Sequence, residues 1–113
     1  MNIIRITRHS ATAPQIADLL RIFGDDCVIT EMDEQFPADQ REAVARFDVL
    51  AAEADAVEAV LPLTLMQAIL THSTFAKRGG KLIRADMRSD RAGGFYFIGY
   101  ERIIEIRIVI DRM

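Results

Sequence analysis

Ile3-Ile4-Arg5-Ile6-Thr7-Arg8-His9-Ser10-Ala11-Thr12-Ala13-Pro14-Gln15 carries a short apolar run straight into a helix start. Residues 2–7 hold three isoleucines in a run too short for a helix, and predict a strand. Thr12 and Gln15 stand at capping-box spacing, and Pro14 suits a first helical turn, where its missing N–H costs nothing. A strand followed at once by a capped helix aims the helix's free amides, and its positive dipole end, at the end of the strand. α/β proteins hold phosphates and other anions there. The connecting loop adds a cation in Arg8, a titratable ring in His9 and a hydroxyl in Ser10. The same order recurs at Ala56-Val57-Glu58-Ala59-Val60-Leu61, followed by Pro62-Leu63-Thr64.

Outward from that stretch, strands and helices alternate. Residues 13–23 predict a helix with Ile16, Leu19, Leu20 and Phe23 on one stripe, stopped by Gly24. Cys27 to Thr30 predicts a second strand, and Glu31 to Pro37 a polar loop. Asp39 caps a second helix with Glu42 three residues on; Ala43, Val44, Phe47, Leu50 and Ala51 share its apolar face, and it fades near Ala54. Ala56 to Leu61 is a third strand, ended by Pro62. Thr64 and Gln67 repeat the capping-box spacing before a helix with Leu65, Met66, Ile69 and Leu70, closed by Arg78-Gly79-Gly80. A fourth strand runs from Lys81 to Met87. The last segments, Phe95 to Ile98 and 102–110, read as an antiparallel hairpin about a Gly99-Tyr100 turn, with Ile104, Ile106, Ile108 and Ile110 on one face.

βαβαβαβ with right-handed crossovers is a three-layer α/β sandwich with a mainly parallel sheet. Its expected strand order is 2-1-3-4, with the antiparallel hairpin at the C-terminus. Strands 1 and 3 are then neighbours whose helices leave on opposite sides, the topological switch point where open α/β sheets bind ligands. Their ends carry Thr7-Arg8-His9-Ser10 and Leu61-Pro62-Leu63-Thr64.

Composition narrows the function classes. The 113 residues suit one domain spanning 1–113, and with 50% hydrophobic and 27% charged residues the chain is expected to fold. A net charge of −3 and a pI near 5.3 disfavour a protein that grips duplex nucleic acid. The single cysteine, Cys27, leaves no intrachain disulfide and is expected to be a buried thiol in a reducing cytoplasm. No stretch is apolar enough to span a bilayer, and the first residues lack a signal-peptide pattern. No Cys/His cluster has metal-ligand spacing and no Gly-rich phosphate loop is present, so neither metal nor organic cofactor is expected.

Arg8 and His9 are the candidates for clamping a phosphate and moving a proton. Ser10 and Thr12 fit capping better than nucleophilic attack, for want of a nucleophile-elbow pattern. His72 reads as a solvent-facing helix-end histidine. Arg84, Asp86 and Arg88 share one strand face; Arg84 reads as a salt-bridged surface residue, and Arg88, at the strand's end, is placed to reach the crevice of Arg8. Glu58, inside an apolar strand, needs a partner, either an arginine or a subunit interface. Phe95, Tyr96, Phe97 and Tyr100 read as core or interface aromatics.

With Thr7-Arg8-His9 closing the first strand, Leu61-Pro62-Leu63 closing the third, and Gln15 one turn into the first helix, the chain resembles small CRISPR-associated proteins related to the CARF domain. It departs from them at Glu58 and in its isoleucine-rich tail. The resemblance implies a Rossmann-like fold and a homodimer that binds cyclic oligoadenylate, the second messenger of type III CRISPR defence, with cleavage of the ring by a metal-independent ring nuclease. The residues implied are Arg8 and His9 for catalysis, with Thr7, Ser10, Thr12, Leu61, Pro62, Leu63, Thr64 and Arg88 beside them for binding. A non-catalytic sensor or sponge, and a phage or plasmid α/β protein whose dimerisation is its main property, are the alternatives.

Overall fold

A computed structural model of the chain describes residues 1–112. Its elements are β1 (Asn2–Ile6), α1 (Ala13–Phe23), β2 (Val28–Met32), α2 (Gln40–Leu50), β3 (Ala56–Ala59), α3 (Leu63–His72), a short α4 (Thr74–Lys77), β4 (Lys81–Ser89) and β5 (Phe95–Arg102). One five-stranded sheet runs in the order β2-β1-β3-β4-β5. All neighbours are parallel except β4 and β5. The fold is therefore the expected α/β arrangement in the order 2-1-3-4, with β5 added antiparallel outside β4.

Alternation along β1 sorts its side chains between two layers. Ile3 packs with Leu19 and Phe23 of α1, and with Ala56 and Ile83. Ile4 and Ile6 face the other way, against Ala43 and Phe47 of α2 and Leu65, Met66 and Ile69 of α3. The helices that follow β1 and β3 thus cover opposite faces, which opens the crevice between those two strand ends. On α1 the buried stripe is narrower than the sequence suggests: Leu19 and Phe23 are buried, whereas Ile16 is 40% exposed. Cys27 is half-buried and precedes β2 rather than lying in it.

Capping explains where the helices begin. Thr12 and Gln15 form both bonds of the capping box on α1, and the Asp39 carboxylate accepts the Glu42 amide at 3.0 Å on α2. The expected Thr64–Gln67 box is absent. α3 starts directly after Pro62 with no side-chain cap, because the proline presets a helix-compatible φ and the turn begins before Thr64 is reached. Gln67 turns elsewhere, donating Nε2 to the Ile106 carbonyl at 3.1 Å. Ser73, in extended conformation, breaks the helix and caps α4, so that Phe75 enters the core from α4.

The C-terminal hairpin needs correction. It is made by β4 and β5 around Asp90, whose carboxylate accepts the Ala92 and Gly94 amides at 2.9 and 2.8 Å, with Gly93 at φ +83°. Gly99-Tyr100 is no turn; it lies within β5, beside a bulge where Gly99 opposes Asp86 and Phe97 opposes Met87. Glycine in a strand often marks such a bulge. Residues 103–112 form no strand despite their alternation. The Ile103 amide still bonds the Leu82 carbonyl at 2.8 Å, but β4 begins at Lys81, and beyond it the tail has no strand to pair with.

The core's most exacting packing is at Phe47, fully buried and edge-on to Phe75 with ring centroids 5.3 Å apart. Phe47→Ala is expected to cost ~3–5 kcal/mol in urea denaturation. A loss below about 1 kcal/mol would contradict this packing.

Candidate functional site

One guanidinium organises the end of β1. In the sheet, Arg5 stands in register with Glu31 of β2 on one side and Glu58 of β3 on the other. It is 3% exposed and Glu58 is 8% exposed. Arg5 Nε donates to Glu58 Oε1 at 2.7 Å, and Nη1 lies 3.4 Å from Glu31 Oε2. Nη1 also donates to the His9 carbonyl at 3.1 Å, and Nη2 to Gln15 Oε1 at 3.4 Å. An arginine fork can satisfy several acceptors in one plane, which a lysine cannot. Burial disfavours the charge on Arg5; the bond and charge of Glu58 more than offset it and hold its pKa above the usual value. The partner that Glu58 required is thus an arginine of its own chain. Removing one member of such a buried pair strands the other charge, typically at ~3–5 kcal/mol.

The loop after β1 is pinned at Thr7, His9, Ala11 and Thr12. The Thr7 amide bonds the Met32 carbonyl at 2.9 Å, and the His9 amide bonds Thr7 Oγ1 at 3.2 Å. The Ala11 amide donates to Glu31 Oε1 at 3.2 Å, and the Thr12 amide to Gln15 Oε1 at 3.0 Å. The anion expected at the start of α1 is therefore displaced by the chain's own groups: Thr12 and Gln15 close the helix end, and the Glu31 carboxylate takes the amide in front of it. The start of α3 is the helix end left without a side-chain cap, and the dipole favours negative charge there.

Thr7, Arg8, His9 and Leu61 line one crevice of about 290 Å³, together with Asp33, Glu34, Gln35 and the Glu58–Val60 segment. Pro62 and Thr64 line an adjoining hollow of about 320 Å³ that shares Glu34, Gln35 and Leu61 with it. Leu63 belongs to a third cavity on the far side of the β3 end. Ser10 is exposed and Thr12 is a cap; neither lines the crevice. Arg88 does not reach it. The last β4 residue paired with β3 is Ile83, and Arg88 stands five residues further along, roughly 17 Å of strand. It forms an exposed ion pair with Asp86 at 3.0 Å. Arg84 pairs with Glu101 at 3.0 Å, as a surface residue should.

Two of the crevice carboxylates are already matched: Glu58 by Arg5, and Glu34 by Arg46 at 2.7 Å, a bond that holds the Glu34 carboxyl below its usual pKa. Among the described residues Arg8 makes no ion pair, and the His9 imidazole makes no hydrogen bond. The crevice therefore offers a ligand the Arg8 guanidinium, the His9 ring and one carboxylate, Asp33, that no cation matches among the described residues. Comparison with protein-family models, with curated proteins and with solved structures finds no match.

Sequence reading passed over Arg5 and took Tyr100 for a core or interface aromatic. Tyr100 Oη donates to Glu58 Oε1 at 2.7 Å, while its amide bonds Asp18 of α1 at 2.8 Å. Burial, then the bond to Glu58 and its charge, push the Tyr100 phenol above its usual pKa. A raised pKa means stability that is complete below the unfolded value, near 10, and lost as pH rises through the folded one. Above pH ~10 the unfolded chain binds fewer protons than the native one, so stability falls by up to ~1.4 kcal/mol per pH unit. The urea midpoint of the wild type should therefore fall more steeply between pH 10 and pH 11 than that of Tyr100→Phe; parallel curves would contradict the assignment.

Proposed function

We propose that the protein is a cytoplasmic homodimer that binds a cyclic oligoadenylate across the β1 and β3 ends and cleaves it. The observation that carries this reading is the convergence of Thr7, Arg8 and His9, in the loop after β1, with Leu61, just after β3, on one crevice at the switch point. They are four of the residues on which the resemblance to CARF-related ring nucleases rests; Pro62, Leu63 and Gln15, the others, lie outside this crevice. The β4–β5 ribbon exposes Met87 and Phe95 on one face and Tyr96 and Ile98 on the other, apolar side chains that a second copy would cover. Two-fold symmetry lets each subunit present the same loop to half of a cyclic ligand.

The chemistry uses groups of the ligand itself. The ribose 2′-hydroxyl attacks the adjacent phosphorus, the P–O5′ bond breaks, and the product ends in a 2′,3′-cyclic phosphate with a free 5′-hydroxyl. One proton leaves O2′ and one is delivered to O5′. Arg8 stabilises the extra charge on the phosphorane, with the open amides at the start of α3 beside it. His9 moves a proton. The pinned backbone sets where both side chains start before the ligand arrives.

A non-catalytic sponge is the second reading, favoured by one observation: the His9 imidazole has no partner to fix its tautomer. Turnover separates the two. With cyclic tetra-adenylate, Arg8→Ala should weaken binding by ~1.5–3 kcal/mol. His9→Ala should slow cleavage by ~10²–10⁴-fold with affinity within a few-fold of wild type. Binding without any product would establish the sponge; no binding at all would overturn both readings.

A further inference from the structure

The end of β3 is a wall between two cavities. Ala59, Val60 and Leu61 border the crevice of Arg8 and His9 on one side and a cavity of about 600 Å³ on the other. The second cavity is lined by Leu63 and Met66 of α3, by Arg84 and Glu101 of the β4–β5 ribbon, and by Ile103 and Ile106 of the tail, and it opens to solvent. Its size falls within the ~300–1,000 Å³ of small-molecule sites. The tail that forms one side is held in position, by the Ile103 amide on the Leu82 carbonyl at 2.8 Å and by Gln67 on the Ile106 carbonyl at 3.1 Å.

We infer that this cavity is a base subsite, taking a nucleobase with an exocyclic amine from the nucleotide whose phosphate lies in the crevice. The inference rests on the proposed function and adds to it where the base goes. Leu63, Met66, Ile103 and Ile106 supply the apolar surface that a flat aromatic ring buries. The Arg84–Glu101 pair, at 3.0 Å on the rim, supplies the polar end. A guanidinium plane stacks on a base, and a carboxylate accepts from an exocyclic amine. The connection runs over Val60, which borders both cavities and is 91% exposed. A nucleotide laid over it has its phosphate beside Arg8 and its base beside Leu63.

The test is methyl NMR of the full chain, with adenosine as probe and inosine and ribose as controls. Adenosine should move the methyl signals of Leu63, Met66, Ile103 and Ile106; inosine, which lacks the amine, should do so more weakly, and ribose not at all. Leu63→Trp, which fills the cavity from an exposed position, should lower adenosine affinity by roughly tenfold or more. Glu101→Gln, on the rim, should narrow the preference for adenosine over inosine. If cyclic tetra-adenylate binds while adenosine moves none of these methyls and Leu63→Trp binds the ring as tightly as wild type, the subsite is overturned and the functional reading stands. If adenosine moves them and the ring does not bind, the functional reading falls and the nucleoside site remains. Shifts that follow protein concentration instead of adenosine assign the cavity to a second copy and overturn the proposal, as does silence toward both ligands.

Discussion

A single buried arginine, set between two carboxylates in the same row of the sheet, governs the end of β1. Arg5 stands level with Glu31 and Glu58, so three strands each contribute one charge to a line that runs under α1. Arg5 and Glu58 are removed from water, and such charges survive only when well paired and hydrogen-bonded, while Glu31 stays exposed at the edge. Here the second carboxylate and the spare donors do more than neutralise. They fasten the His9 carbonyl, the Gln15 side chain and, through Glu31, the Ala11 amide. The loop bearing Arg8 and His9 is thereby tied to the sheet by the polar row beneath it.

That constraint also divides labour at the switch point. The end of α1 is closed by its own capping box, so it orders the loop instead of receiving an anion. The start of α3, set by Pro62 without a side-chain cap, opens on the neighbouring hollow instead. Tyr100 joins the two halves of the fold: its hydroxyl reaches Glu58 and its amide reaches Asp18, linking the antiparallel ribbon to both β3 and α1. The antiparallel addition, outside the parallel part of the sheet, is thus connected to the geometry of the crevice.

The order of elements was legible because it rests on local signals: periodicity, caps and the handedness of crossovers. Thr7, Arg8, His9 and Leu61 came together because strand order alone places them there. Failures arose wherever a partner far away in sequence decided the outcome. The isoleucine alternation of the tail says which faces its residues would take in a strand, but not that β4 ends before the tail can pair. Gly99 reads as a turn among aromatics and proves to lie beside a bulge, because β5 pairs with β4 on both sides of it. Arg88 looked close to the crevice only so long as β4 was taken to stop where β3 does. Arg5 was hidden inside an apolar run; its signal was a charge at matching depth in three strands, readable only once the register is known.

The most direct test of the claim that Arg5 holds the loop is amide hydrogen exchange in Arg5→Lys, which keeps a positive charge beside Glu58 but loses the fork. Amides of His9, Ala11 and Thr12 should exchange at least ~10-fold faster than in wild type, equivalent to about 1.4 kcal/mol of local stability. Amides of α2 and of β3 away from Glu58 should change much less. Unaltered protection across residues 9–12, or equal loss throughout the core, would contradict the account.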